Sequence, residues 1–104
     1  MISKYLNYIQ ESAESKLVIS KEKYDETMKK VKSRCDTYDG ARKDACIFTE
    51  KIRALRFYFK EVDKAKKECK SKICVEKIEA RKDLIEKLIK SSQEQLYKAR
   101  DTNV

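Results

Sequence analysis

Apolar side chains along this chain return at steps of three and four residues. From the N-terminus, Ile2, Leu6, Ile9, Ala13, Leu17, Ser20, Tyr24, Met28, Val31 and Cys35 advance by about 100° per residue and so fall within one arc of a helix. The spacing predicts a long amphipathic helix over about residues 3–35, with Ser3 as its cap, since a hydroxyl there can accept from an orphan backbone amide. The cluster Asp36-Thr37-Tyr38-Asp39-Gly40 interrupts the pattern and holds the one glycine of a chain that has no proline.

Beyond the cluster, Ala41, Ala45, Phe48, Ile52, Leu55, Phe59, Val62, Cys69 and Ile73 form a second stripe, with Tyr58 and Ala65 on its flank. This predicts a second helix over about residues 41–70. After Ile73 the apolar positions change phase to Cys74, Ile78, Leu84, Ile85, Leu88, Ile89, Leu96 and Ala99. A phase change calls for a turn, placed near Lys70-Ser71-Lys72 with Ser71 as the next cap, and a third helix over about 73–99. Arg81, in the middle of that stripe, reads as an arginine whose stem covers the seam while its head reaches water.

At 1.5 Å per residue the three helices would be about 50, 45 and 40 Å long, which fits them side by side. The expected fold is therefore all-α: one domain over residues 1–104, an elongated antiparallel three-helix bundle. If the second turn does not form, the alternative is a long two-helix coiled-coil hairpin, which leaves an apolar stripe uncovered and dimerises through it.

Composition narrows the chemistry. The chain has 104 residues, 42% of them charged and 40% hydrophobic, enough for one modest core. Its longest apolar runs are three or four residues, as at Leu17-Val18-Ile19, against the roughly 20 that a spanning helix needs, so no membrane insertion is expected. The chain opens directly on a helical pattern rather than on the continuous apolar stretch of a secretory signal. A cytoplasmic location is thus favoured, with an oxidising compartment the alternative if the cysteines pair. With no histidine, Ser-His-Asp triads, Cys-His dyads, His-ligated zinc and the usual near-neutral general base are ruled out. A single glycine cannot supply a G-x-G-x-x-G or phosphate-binding loop. The carboxylates lie scattered among lysines, as solvated helix-surface ion pairs do. The expectation is a non-enzyme with no cofactor.

Four cysteines leave the redox state open. Cys46 and Cys69 are 23 residues apart, or about 35 Å along a continuous helix, too far for a bond or for four thiolates around one metal ion. The easy pairs are local, Cys35 with Cys46 and Cys69 with Cys74. Cys69 and Cys74 lie on core arcs. Cys46 points about 100° off its arc, so a bond to Cys35 requires the chain to curl back. Reduced thiols packed as small hydrophobes are the alternative. The segment from Cys35 through Ala41-Arg42-Lys43-Asp44-Ala45-Cys46 resembles the first half of twin C-x9-C helical hairpin proteins of the mitochondrial intermembrane space, although here ten residues intervene and the second pair is separated by four. That resemblance implies bonds from Cys35 to Cys74 and from Cys46 to Cys69, which an unbroken second helix forbids, and no function is taken from it.

The net charge of +8 is spread almost evenly, at +3, +3 and +2 over residues 1–35, 36–70 and 71–104. Even spreading gives solubility and weak, salt-sensitive attraction to polyanions rather than a basic tail. The local exception is Lys51-Ile52-Arg53-Ala54-Leu55-Arg56-Phe57-Tyr58-Phe59-Lys60, which holds four cations and no acid. On a helical wheel Arg42, Arg53, Arg56, Lys60, Lys64 and Lys67 fall within about 80°, with Phe57 at the edge of the face. The bland alternative is a solvated outer face with Phe57 laid against a neighbouring helix. The expected function is a non-enzymatic protein–protein interaction module, of adaptor, inhibitor or immunity type, that takes an acidic partner surface on Arg53, Arg56, Phe57, Lys60 and Lys64. A basic nucleic-acid-binding protein is one alternative, and a self-assembling structural coiled coil or homodimer is another.

Overall fold

The computed structural model describes the backbone of residues 2–102 and the side chains of residues 13–101. Three helices run up, down and up: α1 (Ile2–Cys35), α2 (Gly40–Ala65) and α3 (Lys72–Thr102), with a single 3-10 turn, Lys66–Glu68, after α2. The three-helix arrangement of the sequence reading is present, and because the second turn forms between Ala65 and Lys72 the two-helix hairpin is not. Ser3 and the first positions of the apolar stripe, Ile2, Leu6 and Ile9, lie outside the described side chains.

The molecule measures 61 × 22 × 15 Å. It is flat because α2 runs between its neighbours, while α1 and α3 touch each other only lightly. This central position corrects one expectation. Tyr58 and Ala65, read as flank, are 5% and 0% exposed, and Phe59 is half-buried. A helix with neighbours on two sides must bury a wider arc than one stripe. Tyr58 stacks on Tyr24 of α1, whereas Phe59 lies under the Lys82 ammonium of α3. Leu55, Tyr58, Val62, Ala65, Ile78 and Ile85 form the core, flanked by Leu17, Tyr24, Cys69 and Ile89.

Each turn is made differently. After α1 the amide of Tyr38 donates to the Cys35 carbonyl at 3.0 Å, and Gly40 starts α2 at φ 59°, a left-handed conformation that costs glycine little. At the other end α2 stops at Ala65, short of the expected Lys70, and Cys69 is extended. Ser71 caps α3 as expected, its Oγ accepting from the Cys74 amide at 3.1 Å. Ile73, counted on the second stripe, therefore belongs to the first turn of α3 and is 67% exposed.

Both local cysteine pairs are disulfides, Cys35–Cys46 with Cα atoms 5.7 Å apart and Cys69–Cys74 at 5.4 Å. Cys46 reaches Cys35 because the Asp36–Asp39 loop folds α2 back onto α1 within its first two turns. The crossed pairing implied by the twin C-x9-C resemblance does not occur. The two bonds staple opposite ends of the bundle, an arrangement compatible with an oxidising compartment. No described helix is long and apolar enough to cross a membrane.

Candidate functional site

On the outer side of α2, two grooves run parallel to the helix axis. The one between α2 and α3 encloses about 640 Å³ and is lined by Thr49, Ile52, Arg53, Arg56, Phe57 and Lys60 of α2 and by Gln93, Leu96, Tyr97 and Arg100 of α3. Ile52, 8% exposed, and half-buried Leu96 make an aliphatic floor. Phe57 and Tyr97 are 58% and 68% exposed, an aromatic on each wall. The charged groups lining this groove are all cationic.

Helix geometry explains why these residues share a face. Arg53, Arg56, Phe57 and Lys60 follow one another at steps of three, one and three, within about 100° of the wheel, opposite Leu55 and Val62, which α2 must bury. The sequence reading placed Phe57 at the edge of the basic face. The structure leaves it standing out rather than folded against a neighbouring helix. Four of the five expected binding residues line this groove. Lys64 does not: it lies one turn further along and pairs with Glu61 at 3.8 Å. Arg53 has a loose pair with Glu50 at 3.7 Å, itself 3.8 Å from Arg34. Among the described residues, Arg56, Lys60 and Arg100 make no ion pair.

Tyr97 and Arg100 were not found by sequence reasoning. They are i,i+3 neighbours, one position beyond the apolar residues Leu96 and Ala99, so their common flank was legible on a wheel. What was missing is that this flank of α3 turns towards the basic face of α2, which depends on how the helices are rotated against each other.

The second groove, between α1 and α2, encloses about 390 Å³ and shares Arg53 and Phe57 with the first. Its rim mixes Lys23 and Lys30 with Glu26, Glu50 and Glu61, so it carries no net preference for an anion. Tyr24 and Tyr58 line it, with ring centroids 5.5 Å apart. The Tyr58 hydroxyl is sealed from solvent and makes no well-formed hydrogen bond. Burial raises its pKa, and the half-buried Arg81 guanidinium opposes that shift by favouring the phenolate. Burial also raises the pKa of Tyr24, helped by the Asp25 carboxylate.

The groove between α2 and α3 thus offers fixed positive charge, two aromatic faces and an aliphatic floor, which together can hold an anionic ligand that also carries apolar groups. The four cysteines, bonded in pairs at the two ends of the bundle, contribute no thiolate to it. Compared with protein-family models, curated proteins and solved structures, the chain matches none.

Proposed function

We propose that this protein is a non-enzymatic helical interaction module that binds an acidic partner protein through the basic face of α2, with α3 supplying the second wall. The observation that carries this is the groove in which Arg53, Arg56, Lys60 and Arg100 surround exposed Phe57 and Tyr97 with no acid among the lining side chains. Cations on a rim attract and orient an acidic surface, while aromatic anchors over an apolar floor supply desolvated contact. The aliphatic floor favours a protein over a nucleic acid, because Ile52 and Leu96 suit apolar side chains and offer a phosphate backbone nothing. The two disulfides are compatible with work in an oxidising compartment, which this reading adopts.

The test compares the wild type with Arg53→Glu/Arg56→Glu/Phe57→Ala. Capture is made from nuclease-treated extract under non-reducing conditions, alongside filter binding of duplex and single-stranded DNA at about 0.1 M salt. Proteins held by the wild type and lost by the triple variant support the proposal. An unchanged set of captured proteins, or tight retention of DNA that the triple variant loses, overturns it.

A further inference from the structure

We propose that the occupant of the groove between α2 and α3 is an amphipathic acidic helix of about three turns, packing against both walls as a fourth helix. This rests on the acidic-partner reading above and deepens it by naming the partner's shape. The cations on α2 are spaced as a helix would read them: Arg53, Arg56 and Lys60 rise by about 4.5 Å and then about 6 Å along the axis. A partner helix lying along the groove presents carboxylates at steps of three and four at those same heights. An extended peptide repeats its like-facing side chains every 6.6 Å or so and meets only some of them.

Length and polarity agree. The α2 wall runs from Thr49 to Lys60, about 16 Å, which a helix of about eleven residues matches. The floor of Ile52 and Leu96 calls for apolar side chains at i, i+3 or i+4, and i+7, the pattern by which helices seat in grooves. Phe57 and Tyr97 flank that row, and Arg100 faces the acids on its far side. α1 contributes no residue to the lining of this groove.

The test uses the intact oxidised protein and three labelled probes read by fluorescence anisotropy at about 0.1 M salt. One probe is a 15-residue peptide, Leu at helical spacing and Glu on both flanks; one is the same composition scrambled so that no apolar face forms; one is a single-stranded 15-nucleotide oligothymidine. The expected result is that the ordered peptide binds about tenfold more tightly than the scrambled one and gains helical circular dichroism on binding. Tyr97→Ala weakens it by about fivefold or more. Tyr97 is 68% exposed, so this variant keeps its fold, and its melting curve checks that. Arg100→Glu, on the other helix from the sequence-derived face, has a similar effect.

If the ordered and scrambled peptides bind equally, and Arg53→Glu/Arg56→Glu abolishes both, the helical occupant is discarded while the acidic-partner reading stands. If neither peptide binds, or only the oligonucleotide does, both are overturned.

Discussion

Tyr24 and Tyr58 stack across the interface of α1 and α2 with ring centroids 5.5 Å apart and planes inclined by 24°, yet the Tyr58 hydroxyl is sealed away and, among the described residues, makes no well-formed hydrogen bond, with the Arg81 guanidinium beside it. The ring contributes to folding and the hydroxyl opposes it, because a buried polar group left unpaired keeps its desolvation cost. Tyr58→Phe is therefore expected to raise stability by about 1 kcal/mol. Tyr24→Ala, which removes the stacked partner and part of the core, is expected to lower it by about 2 kcal/mol. Urea unfolding of both variants checks the pair; a destabilised Tyr58→Phe would show that the hydroxyl makes a productive contact with Arg81.

The two disulfides close short loops, eleven and five residues in separation. By chain entropy the Cys35–Cys46 bond is expected to contribute about 3 kcal/mol and the Cys69–Cys74 bond about 2 kcal/mol. Cys35→Ala/Cys46→Ala should lower the thermal midpoint more than Cys69→Ala/Cys74→Ala. Native mass spectrometry with and without reductant should show a difference of about 4 Da, two hydrogens per bond. A zero shift in protein purified without reductant removes the oxidising compartment from the proposal.

Much of this architecture was legible in the chain; what was not depends on an unmarked helix stop or on how the helices pack. Periodicity located α1 within a residue at each described end, and Ser71 announced the start of α3 through its hydroxyl. The end of α2 was overrun by five residues because Cys69 and Ile73 prolong its apolar phase and no glycine or proline marks the stop. Tyr58 was assigned to a flank because a one-stripe wheel presumes one neighbour, whereas α2 has two. Arg53, Arg56, Phe57 and Lys60 could be read from charge and helical spacing alone. Tyr97 and Arg100 could not, since the face they serve belongs to another helix and exists only after packing.

Stability should be highest over a broad middle range of pH and fall at both ends. On the acid side, the Lys43 ammonium hydrogen-bonded to Asp36, Lys82 to Asp63 and Lys66 to Glu79 each hold the carboxyl below its usual value. A depressed carboxyl contributes stability above its unfolded pKa, near 4, and loses it as pH falls through the folded value. On the alkaline side, burial raises Tyr24 and Tyr58, and acceptors raise Lys43 and Lys82. These contributions are present below about pH 10 and disappear as pH rises through the folded values. Melting curves from acid to alkali check the shape. Tyrosinate absorbance of Tyr24 and Tyr58 should appear above the ordinary phenol range, and Tyr24→Phe and Tyr58→Phe assign it.

Gly40 holds φ at 59°, and a Cβ added there would meet nothing within 4 Å. The cost of Gly40→Ala is thus one of backbone conformation alone, about 1 kcal/mol. Gly40→Asn should recover part of it, since asparagine tolerates the left-handed region better. Equal melting points for Gly40→Ala and the wild type would mean that the loop between Cys35 and α2 can relax around the change.

Lys64 and Arg56 carry the same charge on the same helix but differ in surroundings, and the difference separates a docking groove from a merely basic surface. Lys64 lies outside the lining of the groove and already has Glu61 at 3.8 Å. Arg56 lines the groove beside Phe57. Reversal of a rim charge acts through long-range steering, so Lys64→Glu is expected to slow association by about twofold at low salt and to change dissociation little. Arg56→Glu puts a carboxylate where the proposed acidic partner would dock and is expected to raise the dissociation rate about tenfold or more, an effect that persists at high salt. Surface plasmon resonance with the labelled acidic peptide at two salt concentrations reads both. If the two variants lose binding equally and salt abolishes the loss in each, attraction to the basic face is diffuse, and neither Phe57 nor Tyr97 anchors anything there.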